Sequence, residues 1–450
     1  MSQVYTKAVA VIGAGLAGVE TAMYIASRGV KVYLFESKSI EKTPAQKTQD
    51  FAELVCTNSL KSKDPNSAHG ILKAEMNALG SLVLKVAGDC AVPAGNALSV
   101  DRDRFAKQIT SEVSSHENIE VIHKIVEDPE KIKKEYNVDF VVIATGPLTL
   151  DGLEKWIRSE IASDDLYFYD AIAPIVDAES LNMDVCFFKN RYDDEGINAD
   201  YLNVPLNQEQ YLEFVDDLIG AEIVAPQNFE DPKFFESCLP IDVMAQRGVD
   251  TLRFSCMKPV GLEKNGELAY AVIQLRKENL LGSSFNMVGF QNRLKYGEQL
   301  RVFRKLPGFE NAVFNHLGSV HRNTYLHASK LLKPDLSSMK DDSLYFAGQI
   351  SGVEGYTESA AMGLFVAHQI MRRYEGLAPC IWPKELAIGA LINYIMTSKK
   401  PRPSNINFGL LPTVNLTREQ RRNKFRKSIK KELVAKRALD KLDNFKEINL

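Results

Sequence analysis

Five consecutive apolar residues, Ala8 to Ile12, give way at Gly13 to the stretch GAGLAG, and Leu16 to Ser27 then places Ala, Met, Tyr and Ile on one face at helical spacing. An unbroken apolar run stopped by glycine predicts a strand buried on both faces; the 3.6-residue period after it predicts a helix, ended by Gly29. A second strand, VKVYLFE, terminates in Glu36, which lies 23 residues after Gly13. Gly13, Ala14, Gly15 and Gly18 therefore fall at a strand-to-helix turn. There the missing side chains permit the tight bend, let a pyrophosphate approach backbone N–H groups and let the helix pack on the sheet, while Glu36 is placed to accept hydrogen bonds from a ribose.

Two later segments repeat the strand-then-glycine pattern. VDFVVIATGPL (138–148) ends in Ala144-Thr145-Gly146, and SLYFAGQISGVEGYTESAAMGLFVA (343–367) is a strand, a glycine-rich turn and a small-residue helix. Distant segments that return to one sheet resemble the two-dinucleotide-binding-domain flavoproteins, which implies FAD at the first turn. Gly146, Gly348, Gln349, Gly355 and Tyr356 join Glu36 and the first glycines as its expected contacts. Gln349 stands where many such flavoproteins carry Asp. No second G-x-G-x-x-G provides a separate nicotinamide domain.

The expected fold is α/β: a Rossmann-like flavoprotein with a split FAD domain (1–150 and 331–416), an inserted α+β substrate domain (151–330) and a basic helical C-terminal tail (417–450). Within the insertion, DVCFFKN and AYAVIQLRKE read as strands and NQEQYLEFVDDLIGAE as a helix. At 45% hydrophobic and 25% charged, the 450 residues can fill cores of this size. No run reaches the ~18–20 apolar residues of a bilayer span, and the N-terminus lacks signal-peptide regions, so the expected address is the cytoplasm, with no membrane partner.

The net charge of −3 is unevenly placed. Residues 418–437 carry ten Lys or Arg against two Glu, a local +8 that leaves −11 on the remainder. A basic block of this kind predicts a polyanionic partner, although a solvated helix would have the same composition. The six cysteines (56, 90, 186, 238, 256 and 380) include no C-x-x-C pair. That spacing argues against a zinc site and a near-neighbour redox dithiol; no metal is expected.

GAGLAGVETA, FAELVCTNSL, VPAGNALSVDRD, IATGPLT, FFESCLPIDVMAQRG, MKPVGL, NMVGFQNRLKYGEQ, HRNTY, FAGQISGVEGYTESAA and NINFGLLP occur in this order between residues 8 and 412. Together they resemble the TrmFO family, the folate- and FAD-dependent RNA (uracil-5-)-methyltransferases. The resemblance implies a thiol nucleophile at Cys238 and a second catalytic thiol at Cys56. It also implies 5,10-methylenetetrahydrofolate as one-carbon donor, NADPH or NADH as reductant, and a structured RNA substrate: a T-arm uridine of tRNA, or in the alternative a uridine of 23S ribosomal RNA.

The chemistry calls for two thiols. Uracil C5 is a poor nucleophile until a thiolate adds at C6, and the C5 proton must later be taken up by a second group. Each sulfur needs a cationic neighbourhood, for which Lys61, Lys63, Lys233 and Arg247 are nearby in sequence. Lys258, Arg293, Lys295, Arg301, Arg304, His321, Arg322, Arg421, Arg422 and Lys424 are candidates for RNA phosphates or the folate glutamate tail. The competing reading pairs several of them with Glu278, Glu298 or Glu310. Other readings of the chain are a GidA-like tRNA-modifying flavoprotein, a disulfide reductase disfavoured by the cysteine gaps, and a non-catalytic RNA-binding flavoprotein.

Overall fold

A computed structural model describes residues 8–43, 45–161, 167–191, 199–224, 239–264, 266–279, 281–398 and 403–449, with backbone alone for 167–172 and 319–323. Cys238 and Lys233 lie outside the described residues, as do the side chains of His321 and Arg322.

The apolar run at the N-terminus becomes the centre of a parallel five-stranded sheet. The order is Leu344–Phe346, Phe140–Ile143, Ala8–Ile12, Lys31–Glu36 and Ile119–His123. Val9, Ala10 and Val11 are fully buried, as strands covered on both faces must be. Register aligns Ile12 with Phe35 on one side and Ile143 on the other. The carboxyl ends of these strands, with the turns at Gly13, Ala144 and Ala347 and the acid Glu36, therefore open on one edge of the sheet. The strand expected over 138–148 is shorter than its apolar run because Gly146 turns the chain away at φ +68°.

Two helices cross on this sheet, Leu16–Ala26 and Tyr356–Tyr374. Thr21 Oγ1 donates to the carbonyls of Ala17 (2.9 Å) and Gly363 (3.0 Å), so the backbones nearly touch. A Cβ on Gly363 would lie 2.2 Å from the Ala17 oxygen.

A second core belongs to a six-stranded antiparallel sheet with the order Phe187–Phe188, Tyr201–Leu206, Ala271–Lys277, Ser284–Met287, Ile175–Asp177 and Phe314–His316. Helices Gln208–Gly220, Ile241–Gln246 and Tyr296–Phe303 flank it. Tyr211, Phe214, Phe290, Phe303 and Phe309 fill this core. Helix Asp151–Glu160, which lies within the expected insertion, sends Leu153 and Ile157 into the first core instead.

The basic tail divides in two. A short helix, Arg418–Arg422, precedes a long one, Arg426–Asn449. In the long helix Val434, Ala435, Ala438, Leu442 and Phe445 share one face and are buried on the first core. Phe445 lies 4.6 Å from the Trp382 ring, and His368 Nε2 meets the Asn449 carbonyl oxygen at 2.9 Å. Arg421, Arg422 and Lys424 stay exposed. No helix among the described residues is long and apolar enough to cross a membrane.

The crossing of the two sheet helices is expected to tolerate no added methyl. Gly363→Ala should lower the unfolding free energy by about 1–3 kcal/mol in denaturant melts. Gly88→Ala, where a Cβ meets nothing within 4 Å, should raise it by up to about 1 kcal/mol. Equal melts for the two variants would refute the close crossing.

Candidate functional site

The turns at the carboxyl edge of the parallel sheet border an open cleft whose space, solvent at its mouth included, is about 1100 Å³. Gly13, Gly15, Glu36, Gly146, Gly348, Gln349 and Tyr356 line it, with Val55 and Glu53 from the loop after the second strand. The glycines divide by role. Gly13 is held at φ +100°, and a Cβ there would press on the Ala144 carbonyl oxygen at 2.8 Å; a Cβ on Gly18 would collide with the Gly13 oxygen at 1.8 Å. Both serve the packing of turn on sheet. At Gly15 the nearest atom to a Cβ is 4.0 Å away, so the missing side chain leaves room in the cleft itself.

Gly15 caps helix Leu16–Ala26 and Gly355 caps helix Tyr356–Tyr374, and neither helix has a side-chain cap bond. The first-turn N–H donors after Gly15 are thus left for a ligand, in the arrangement that binds phosphate, whereas at Gly355 the Glu358 carboxylate already occupies the helix end. Glu36 is only 6% exposed. Its Oε2 accepts from the Ala14 amide at 2.8 Å and its Oε1 from those of Ser37 (2.8 Å) and Lys38 (3.0 Å). A carboxylate has lone pairs beyond these for ribose hydroxyls. These residues fit a dinucleotide. Gln349 is turned to the protein: its Nε2 donates to Glu354 Oε2 at 2.7 Å.

Glu53, whose role the sequence did not suggest, organises the loop beside Glu36 at the cleft. It pairs with the buried Lys38 at 3.3 Å and accepts from the amides of Lys47 and Thr48.

Cys56 follows Val55, which lines the cleft, and stands against Tyr356, which also lines it. The Tyr356 hydroxyl accepts from the Cys56 amide at 2.7 Å and the Thr57 amide at 3.2 Å, so the first residue of the late helix fixes the thiol loop. Burial, then the neighbouring sulfur, push the Tyr356 hydroxyl well above the usual tyrosine range, and its proton is retained. From the second sheet, Arg276 Nε donates to Asn58 Oδ1 at 2.9 Å and Arg276 Nη2 donates to Thr57 Oγ1. Asn58 Nδ2 in turn donates to the Lys277 carbonyl at 3.0 Å. Arg102 closes the group through an ion pair of 2.8 Å with Glu278. Lys61 and Lys63, the expected cationic neighbours, are exposed. The sequence signal for Arg102 was its place in VDRD.

Behind Tyr356, Glu358 is fully buried, lies 3.4 Å from His69 Nε2 and accepts from the Ile406 amide at 3.0 Å. This fastens the NINFGLLP segment to the late helix. Burial would raise the Glu358 carboxyl, but His69 and the amide outweigh it and hold it low.

Several candidate phosphate ligands are engaged within the second unit. Arg293 Nε pairs with Asp242 at 2.7 Å at the start of helix Ile241–Gln246, Lys295 with Glu222 at 2.7 Å, and Arg301 with Asp217 (2.5 Å) and Glu298 (2.7 Å). Arg304 Nε donates to the Ala312 carbonyl at 3.1 Å. Lys258 is half-buried and Arg247 exposed. No group of three or more His, Cys, Asp or Glu among the described residues is arranged to hold a metal ion.

Strand order, the glycine turn and the acid-ended second strand define a Rossmann-like dinucleotide-binding protein whose nucleotide domain is assembled from two distant stretches of chain. A family model described as glucose inhibited division protein A matches residues 8–378. The chain is 47% identical over 444 residues, 98% of each chain, to the protein of Desulfitobacterium hafniense named methylenetetrahydrofolate--tRNA-(uracil-5-)-methyltransferase TrmFO. It is 46% identical over 440 residues to the Enterococcus faecalis protein of that name, covering 97% of this chain and 98% of the relative. Among solved structures, Aquifex aeolicus GidA in its form I crystal superposes with a TM-score of 0.66 at 17% identity, over 98% of this chain and 76% of that one. The chain belongs to the TrmFO family.

The division of labour among the glycines predicts opposite outcomes for two variants. Gly15→Val should strip the dinucleotide that co-purifies with the protein yet leave its melting temperature near that of the ligand-free parent. Gly18→Ala should lower the melting temperature itself. Retention of ligand by Gly15→Val, read from absorbance after denaturation, would remove Gly15 from the site.

Proposed function

We propose that this chain is an FAD- and methylenetetrahydrofolate-dependent methyltransferase that makes 5-methyluridine in tRNA, at a T-arm uridine. The observation that carries the reading is the Cys56 loop beside the dinucleotide cleft, which Val55 and Tyr356 line, held by Tyr356 from one unit and by Arg276 from the other. Two relatives about as long as this chain and nearly half identical to it carry that activity in their names. A GidA-like role is less well supported: the GidA family model spans residues 8–378, but the solved GidA is only 17% identical, against 47% and 46% for the relatives named TrmFO.

FAD would lie along Gly13, Gly15, Glu36 and the turn at Gly348, supplying the reducing equivalents and carriage of the one-carbon unit, with NADPH or NADH as external reductant. The protein's own groups do the rest. Cys238 adds as thiolate to uracil C6, which gives C5 its nucleophilicity. Cys56, beside the cleft, removes the C5 proton once the new carbon is attached. Loss of that proton leaves an exocyclic methylene on C5; a hydride equivalent, drawn ultimately from the external reductant, would complete it to a methyl group, and the resulting C5–C6 enolate then expels the Cys238 thiolate. Tyr356 keeps the Cys56 backbone in place throughout.

With methylenetetrahydrofolate labelled in its one-carbon unit, label should enter a tRNA transcript as 5-methyluridine and vanish when the T-arm uridine is changed to cytidine. A 23S ribosomal RNA transcript in parallel should stay unlabelled; label there alone would overturn the tRNA assignment. Cys56→Ala and Cys238→Ala should each lower turnover by at least about 100-fold. Cys238→Ala should also lose the covalent adduct with 5-fluorouridine RNA.

The exposed Arg421, Arg422 and Lys424 would serve as phosphate contacts. Deleting the tail would also remove the buried face of the long helix, so charge removal is the cleaner test. Changing all three to Gln should reduce the slope of log K against log salt by about 2–3. An unchanged slope would mean that these cations are only solvated.

A further inference from the structure

Arg102 is the first residue of helix Arg102–Ser114, placed there by Asp101, whose side chain caps the helix through the Arg104 amide. Its side chain is 17% exposed, and its Nε and Nη2 are buried without a hydrogen bond of good geometry in the protein. Across from it, Glu278 follows the strand that carries Arg276 and belongs to the second sheet's unit. The Glu278 side chain is 7% exposed, and its Oε1 likewise has no hydrogen-bond partner. A guanidinium so placed, facing one carboxylate with donors to spare, is poorly explained as a stability element, because desolvating such a pair offsets most of its attraction.

What surrounds the pair is the thiol loop. Arg276, two residues before Glu278, grips Thr57 and Asn58. Tyr356 grips the amides of Cys56 and Thr57. Asn58 Nδ2 ties this loop to the carbonyls of Val100, two residues before Arg102, and Lys277, the residue before Glu278, both at 3.0 Å, so that among the described residues Arg102, Glu278, Arg276 and Tyr356 gather about the 56–58 loop, with Lys47 beyond Arg102. Burial opposes the charge on Arg102; Glu278, then Tyr356 and Cys56, outweigh that and hold it firmly cationic. Burial and the nearby Arg102 both depress Lys47 below the usual lysine range, so of these two cations Arg102 is the one that keeps its charge.

We propose that Arg102 is a positioning residue that holds the Cys56 sulfur as a thiolate, and that Glu278, delivered by the other unit, tempers that charge. This rests on the reading of Cys56 as the proton-removing thiol. A cation near a sulfur favours its anion, so removing Arg102 takes thiolate away, whereas removing the Glu278 carboxylate adds to it. The two halves of the chain thereby set the reactivity of one thiol jointly, and only when docked as they are here.

The test is the pH dependence of Cys56 alkylation by iodoacetamide, read by mass spectrometry of the Cys56 peptide in the protein as purified, which requires no methyl transfer. Arg102→Gln should move the midpoint up by about one pH unit, about a tenfold loss of reactive thiolate below it, and Arg102→Lys should restore most of it. Glu278→Gln should move the midpoint down. An unmoved midpoint in Arg102→Gln overturns the proposal, as does an Arg102→Lys variant as impaired as Arg102→Gln. A Glu278→Gln midpoint that rises would overturn the tempering role and leave the carboxylate as a holder of the guanidinium. Should the midpoints move as stated while the parent protein methylates no RNA, the inference about the thiol stands and the proposed function fails.

Discussion

The structure depends on leaving one helix end uncapped. A serine or aspartate before Leu16 would satisfy an orphan N–H and stabilise the helix by roughly 1 kcal/mol, but its side chain would stand where Gly15 leaves open space. Gly355 before the late helix is glycine for another reason: a Cβ there would meet Glu358 Oε2 at 2.4 Å, because that carboxylate already occupies the helix end. The Gly15 end points its unspent donors into the cleft, and the sheet order brings Tyr356 and Ser359 of the late helix to the same cleft from more than three hundred residues away. The close crossing at Gly363 is what fixes the separation of the two helices. A ligand carrying phosphate completes the hydrogen bonding that the chain forgoes.

That cleft edge also decides where the thiol can act. Cys56 has little say in its own position: its loop is suspended between a phenol on the first unit and a guanidinium on the second. Arg293 and Asp242 do comparable work at the start of helix Ile241–Gln246, three residues beyond Cys238 in sequence. A single rigid scaffold could hold one thiol accurately. The proposed mechanism, with one thiol from each folding unit, requires the units themselves to be registered, and the contacts of Arg276 with Thr57 and Asn58 and of Glu278 with Arg102 are where that register is visible.

The sheet and its glycine turn were legible in the sequence because strand burial and helix period are local properties. Ala8–Ile12, Leu16–Ala26 and Lys31–Glu36 fall within a residue or so of the pattern's limits. The family resemblance pointed to Cys56 and Cys238, of which the described residues include only the first. What could not be read was anything that depends on which side chains meet across the two units. Lys61 and Lys63 lie close to Cys56 in sequence but point to solvent, whereas Arg102, 46 residues further on, reaches the thiol loop. Helix Asp151–Glu160 joined the first core for a similar reason: its apolar face is as suitable for one core as for the other, and only the chain's path decides.

Charge shows the same gap between composition and placement. Lys295 and Arg301 are cationic in sequence, yet each stands against carboxylates of its own unit, so their fields are largely cancelled before any polyanion arrives. The tail differs. Its apolar face is spent on the first core from Val434 onward, which anchors the helix, while the preceding segment projects Arg421, Arg422 and Lys424 with little acid beside them. An anchored helix with a cationic overhang concentrates positive potential at a fixed place on the nucleotide-binding unit. A solvated tail needs no such anchor, and the burial of Phe445 against Trp382 would then have no purpose beyond tidying the terminus.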